Sequence, residues 1–93
     1  MIRCLIVDDE ETNRYMLETL LGGNSYETIS AENGAVALTK AREHPPDLVV
    51  SDILMPVMDG YCLCKEWKTD PALKHIPFAF YTATYTEAKD EAF

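Results

Sequence analysis

Apolar residues fall into short unbroken runs, separated by stretches in which they recur every three or four positions. Cys4-Leu5-Ile6-Val7 is continuously apolar, as a strand covered on both faces is, and predicts a first strand over about Arg3 to Val7. A helix is expected from about Glu11 to Leu21, with Leu17, Leu20 and Leu21 on one face and Met16 beside them. Gly22-Gly23-Asn24 ends it. Tyr26 to Ala31 reads as a second strand, and its Glu27, Thr28 and Ser30 suit a sheet edge. Asn33-Gly34 marks a turn into a helix over Ala35 to Glu43 with Ala37, Leu38 and Ala41 inward. His44-Pro45-Pro46 stops that helix, because a residue before proline is pushed out of helical space. Leu48 to Ser51 is a third strand, and Tyr61 to Thr69 a third helix packing through Leu63 and Trp67 until Asp70-Pro71. Ile76 to Tyr81 is a fourth strand, and a further helix begins near Thr86. This alternation predicts an α/β domain with a parallel sheet, a single unit over residues 1–93.

Composition narrows the partners. The 93 residues are 47% hydrophobic, enough for a packed core, and carry a net charge of −8. No cluster of Lys and Arg is present to neutralise phosphates, so neither nucleic acid nor an anionic membrane surface is expected as a partner. No run resembles a signal peptide or reaches the length of a membrane span, and a cytoplasmic location is expected. Cys4, Cys62 and Cys64 read as free thiols, with Cys4 a core filler. His44 and His75 sit beside proline-marked loops and read as surface residues.

The charged residues that interrupt the pattern carry the chemistry. Val7 runs into Asp8-Asp9-Glu10, and Ser51 runs into Asp52. In a parallel sheet the ligand crevice lies at the carboxyl ends of the strands, so two adjacent strands would gather Asp8, Asp9 and Asp52 at one rim. Carboxylates so close repel one another unless a hard cation such as Mg²⁺ joins them. Helix or turn caps would account for single acids, but not for a doublet after one buried strand and another acid after a second. A cation there would attract a phosphoryl group, and an Asp carboxylate can itself be the nucleophile that accepts it. Thr82, at the end of the fourth strand, would offer a hydroxyl at the same rim.

Leu5-Ile6-Val7-Asp8-Asp9-Glu10, Glu32-Asn33-Gly34, the block Asp52-Ile53-Leu54-Met55-Pro56-Val57-Met58-Asp59-Gly60, and Phe80-Tyr81-Thr82-Ala83 together resemble the receiver domain of two-component response regulators. The resemblance runs the length of the chain, and the block from Asp52 to Gly60 is its most specific part. It implies a doubly wound parallel sheet in the flavodoxin-like order 2-1-3-4. It implies that Asp52 accepts a phosphoryl group from a phosphohistidine of a histidine kinase or phosphotransfer protein. Asp9, Asp52 and the Leu54 carbonyl would bind Mg²⁺, with Asp8 acting through water. Thr82 would be the switch hydroxyl, and the backbone amides of Ile53, Leu54 and Ala83 would hold the phosphoryl oxygens. Pro56 and Gly60 would shape the loop, and Leu54 and Thr84 match positions that tune phosphoryl lifetime. The domain would be a signalling phosphoacceptor that catalyses its own phosphorylation and dephosphorylation, rather than an enzyme acting on other substrates.

Receivers of this family run to ~120 residues, with a fifth strand ending in a lysine that pairs with the phosphoryl group. None of Lys65, Lys68, Lys74 and Lys89 follows a fifth strand. The sequence is therefore expected to be a fragment or a shortened domain, lacking the fifth strand and last helix. Its fourth-strand edge, Phe78-Ala79-Phe80-Tyr81, would lie open and lead to a homo-oligomer. An alternative reading is a phosphorylation-impaired receiver-like domain that serves assembly. An aspartate-nucleophile phosphatase usually needs a second acid where Leu54 stands. A flavin-binding domain needs a phosphate-cradling first loop, which Asp8-Asp9-Glu10-Glu11 opposes.

Overall fold

The structure, a computed structural model, describes residues 2–53 and 58–81. Seven elements alternate along them: β1 (Ile2–Val7), α1 (Glu11–Gly22), β2 (Tyr26–Ala31), α2 (Gly34–Glu43), β3 (Leu48–Asp52), α3 (Gly60–Thr69) and β4 (Phe78–Tyr81). The strands form one parallel sheet in the order β2-β1-β3-β4. The helix expected near Thr86 lies outside the described residues.

That order places the helices. The chain steps outward from β1 to β2, then returns across β1 to β3 and continues to β4. Right-handed crossovers in opposite directions put α1 on one face and α2 and α3 on the other. The direction reverses between β1 and β3, where an open parallel sheet forms its ligand crevice.

The α2–α3 face holds the main core, in which Leu5, Val7 and Val49 meet Ala37, Leu63 and Trp67. All six are essentially solvent-free. Trp67 packs edge-on against Phe78 at 5.6 Å, tying α3 to β4. Cys4 and Ile6, on the alternate face of β1, are also buried. Burial pushes the Cys4 thiol up to about 11, so it stays protonated and acts as an apolar filler.

β2 is an outer strand as its polar residues suggested, and Lys40 Nζ donates to its Ser30 carbonyl at 2.6 Å. Asn33 begins α2, and its side chain accepts from the Val36 amide at 2.9 Å. Asn33→Ala is expected to lose about 1 kcal/mol of stability in urea denaturation followed by the emission of Trp67.

Three expectations shift. α1 has no fully buried residue, and Met16 and Leu20 are exposed along with Tyr15. Among the described residues the helix rests mainly on β1 and β2, and its apolar Leu17 and Leu21 are covered only in part. β4 starts at Phe78 rather than Ile76, because Pro77 has no amide to donate and joins the sheet only through its carbonyl, which accepts from Val49 at 3.0 Å. Ile76 turns into the core instead. β3 runs one residue further than Ser51 and includes Asp52.

Candidate functional site

Register brings the acids together. Val7 of β1 stands opposite Ser51 of β3, so the next residue of each strand, Asp8 and Asp52, are neighbours at the carboxyl rim. Asp9 follows directly. One carboxylate oxygen from each of Asp8, Asp9 and Asp52 lies within 4.8 Å of the others. Asp8 and Asp52 are buried and Asp9 is exposed. The group therefore has two acids set into the sheet and a third at its mouth.

Local bonds fix the loop after β1. The Asp8 amide donates to Ala31 O at 3.1 Å, which holds Asp8 against β2. Asp8 Oδ1 accepts from the Glu10 amide at 2.8 Å, and Arg14 Nη1, from the first turns of α1, donates to the Asp8 carbonyl at 2.6 Å. Glu10 stands at the N-cap position of α1 but makes no capping bond with its side chain. Capping therefore does not explain this acid run, and Asp8 serves the loop geometry instead.

The segment after Asp52 is closed at its far end. The Gly60 amide donates to Ile53 O at 2.7 Å, and Ile53 donates in turn to Tyr81 O at 3.1 Å. Asp59 starts α3, and its side chain accepts from the Cys62 amide at 2.8 Å. An Asp just before an amphipathic run is a capping signal, so this role could have been read from the sequence. A Cβ on Gly60 would lie 2.6 Å from Asp52 O and 2.9 Å from the Ile53 Cα. Only glycine lets α3 start this close to the acid.

The fourth strand brings a residue that sequence reasoning passed over. Tyr81 is the register partner of Asp52, and its hydroxyl donates to Asp8 Oδ2. Burial first, then the hydrogen bond to Asp8 and the charges of Asp8, Asp52 and Asp9, push the Tyr81 hydroxyl far above its ordinary value. It remains a proton donor beside the acid cluster. Both Asp8 oxygens are thereby engaged, one by a backbone amide and one by a phenol.

Asp8, Asp9 and Asp52 thus converge at one rim, whereas the Ile53 amide, expected to bind a phosphoryl oxygen, is already donated to the Tyr81 carbonyl in the sheet. Leu54, Thr82 and Ala83, the other expected site residues, lie outside the described residues, as do Pro56 and Thr84. Cys62 and Cys64 are on α3 and are not among these acids.

Known proteins share this arrangement of chain. The family model of the response regulator receiver domain matches residues 4–93. Response regulator PleD of Caulobacter vibrioides is 42% identical over 81 residues, a match covering 87% of this chain and 18% of PleD. The chain thus spans less than a fifth of the length of that relative. Among solved structures, the N-terminal domain of a response regulator receiver protein from Methanoculleus marisnigri JR1 superposes with a TM-score of 0.86 at 35% identity, covering 98% of this chain and 76% of that one. The receiver domain of a sensor histidine kinase from Pseudomonas aeruginosa PAO1, solved with a magnesium ion coordinated in its active-site cleft, shares the fold with a TM-score of 0.83 at 24% identity, over 97% of this chain and 74% of that one. With a four-stranded 2-1-3-4 sheet and the family match over nearly all its residues, this chain belongs to the response regulator receiver domain family.

Proposed function

We propose that the domain is the phosphoacceptor of a two-component relay and that Asp52 takes the phosphoryl group. The observation that carries this reading is the meeting of Asp8, Asp9 and Asp52 at the sheet's switch point in a receiver fold. An Asp52 oxygen attacks the phosphorus of a phosphohistidine on a kinase or phosphotransfer protein. The new O–P bond forms as the P–N bond breaks, and the electron pair left on the imidazole nitrogen takes up a proton. The product is an aspartyl phosphate.

An all-oxygen donor set of clustered carboxylates fits a hard divalent ion, which suits Mg²⁺. Asp9 and Asp52 would hold it, with the Leu54 carbonyl, and Asp8 would act through water. When bound, the ion supplies positive charge against the charge developing on the phosphoryl oxygens. Asp8, tethered by the Glu10 amide and the Arg14-held loop, keeps the acid doublet in position. The Ile53 amide is spent on the Tyr81 carbonyl, so the amides of Leu54 and Ala83 are the ones that would hold the phosphoryl oxygens, and Thr82 would respond to them. On this reading the domain acts on itself, adding and losing its own phosphoryl group, and is not an enzyme for other substrates.

No helix among the described residues is long and apolar enough to cross a membrane. A cytoplasmic location would fit partnership with a kinase's phosphotransfer domain.

Incubation with a small phosphodonor and Mg²⁺ is expected to add the mass of one phosphoryl group to the intact protein. EDTA and Asp52→Asn should each abolish the gain. A gain of equal size in Asp52→Asn would overturn the assignment.

A further inference from the structure

Asp52 stands at the rim of the sheet, where a donor must reach it, yet it is only 1% exposed. Asp52 and Tyr81 are register partners on adjacent parallel strands, so their side chains leave the same face of the sheet. Asp8 stands on the far side of Asp52, one step beyond the pairing of Val7 with Ser51. From β4 to β1 is therefore two interstrand spacings of about 4.8 Å each, with Asp52 in the middle. The Tyr81 hydroxyl nevertheless reaches Asp8 Oδ2. A side chain that starts on one side of Asp52 and is bonded on the other must lie across it.

We propose that Tyr81 is a latch over Asp52: its phenol is tethered to Asp8, its ring lies across the Asp52 carboxylate, and it must swing away before a donor can reach that carboxylate. The consequence for phosphorylation rests on the reading of Asp52 as the acceptor; the cover itself does not. The tether is polar and single, because Asp8 Oδ1 is taken by the Glu10 amide and only Oδ2 faces the phenol. A ligand that engages Asp8 Oδ2 competes with the phenol for that oxygen. Binding at the acid cluster and freeing Asp52 are thus coupled through one hydrogen bond. Tyr81 acts through Asp8 and is a positioning residue, not a reacting one.

The test is chemical access to Asp52, read without phosphoryl transfer. A water-soluble carbodiimide with an amine nucleophile converts an accessible carboxyl group to an amide, and peptide mass mapping gives the rate at each acid. Tyr81→Phe keeps the ring and removes only the donor. It is expected to raise labelling of Asp52 at least about tenfold, the factor that a hydrogen bond to a charged group supplies. Labelling of exposed Glu66 on α3 should stay at the wild-type rate, which a general loosening of the fold would not allow. Tyr81→Ala, which also removes the ring, should label Asp52 faster still. A wild-type Asp52 rate in Tyr81→Phe overturns the latch, whatever the alanine variant does. Phosphoryl uptake is measured in parallel: if none occurs in any variant, the acceptor reading fails while the labelling still decides the cover.

Discussion

Gly60→Ala is expected to cost about 3 kcal/mol of stability, the upper part of what overpacking a tight site costs. The new Cβ would meet Asp52 O at 2.6 Å, the Ile53 Cα at 2.9 Å and Phe80 Cε1 at 3.2 Å. The first two are backbone atoms and cannot turn aside as a side-chain tip can. The start of α3 would have to move away from β3, straining the bond from the Gly60 amide to Ile53 O. Tyr61 and Phe80, whose rings meet at 5.3 Å, would be pushed apart with it. For a domain of marginal stability this is a large fraction of the total. The chain's one tryptophan, Trp67, lies in α3 and reports the transition directly in urea denaturation. Gly22→Ala is the matched control, since nothing lies within 4 Å of a Cβ there. It should leave stability unchanged or raise it by under about 1 kcal/mol. Equal effects at the two glycines would refute the close approach at Gly60.

The second large effect concerns the acids. Asp8 and Asp52 are buried beside one another with Asp9 at the mouth, an arrangement whose like charges oppose folding when no cation is bound. Mg²⁺ at a hundred times its dissociation constant is expected to stabilise the wild type by about 2.7 kcal/mol, because it binds only the folded acid group. EDTA should remove that gain. Asp52→Asn should be more stable than the wild type in metal-free buffer by about 1–2 kcal/mol, the range that relieving a charge clash commonly yields. The same variant should lose most of its response to Mg²⁺. A wild-type melting temperature indifferent to Mg²⁺ would remove the cation from the account. Stability given up in the metal-free state at a site kept for function is a familiar compromise in proteins.

Much of this was legible in the chain because burial on both faces of a parallel sheet writes itself as unbroken apolar runs. Val7 and Ser51 end such runs, and the acids that follow them mark the rim before any coordinate is known. Ala37, Leu38 and Ala41, and Leu63 with Trp67, were recoverable from helical spacing because α2 and α3 are each buried along one stripe. α1 was misjudged for a related reason. Its apolar residues spread over more surface than β1 and β2 cover, so spacing alone could not say that Leu20 and Met16 stay exposed. The contacts that finish the site were not legible. Arg14 reaches the Asp8 carbonyl only because of how α1 leaves its loop, and a side chain bonding to backbone leaves no trace in composition. Tyr81 looked like an ordinary aromatic strand residue. Alternation gives its face, but only the pairing register shows that Asp52 stands between it and Asp8.

The central claim is that Asp52 carries the phosphoryl group, and trapping the bond itself tests it most directly. The protein is treated with a small phosphodonor and Mg²⁺, then reduced with borohydride, which converts an aspartyl phosphate to homoserine, and digested for peptide mass mapping. The account predicts homoserine at position 52 and unmodified acids at positions 8, 9 and 59, with no homoserine at all when EDTA replaces Mg²⁺. Homoserine at another acid, with Asp52 intact, would contradict it.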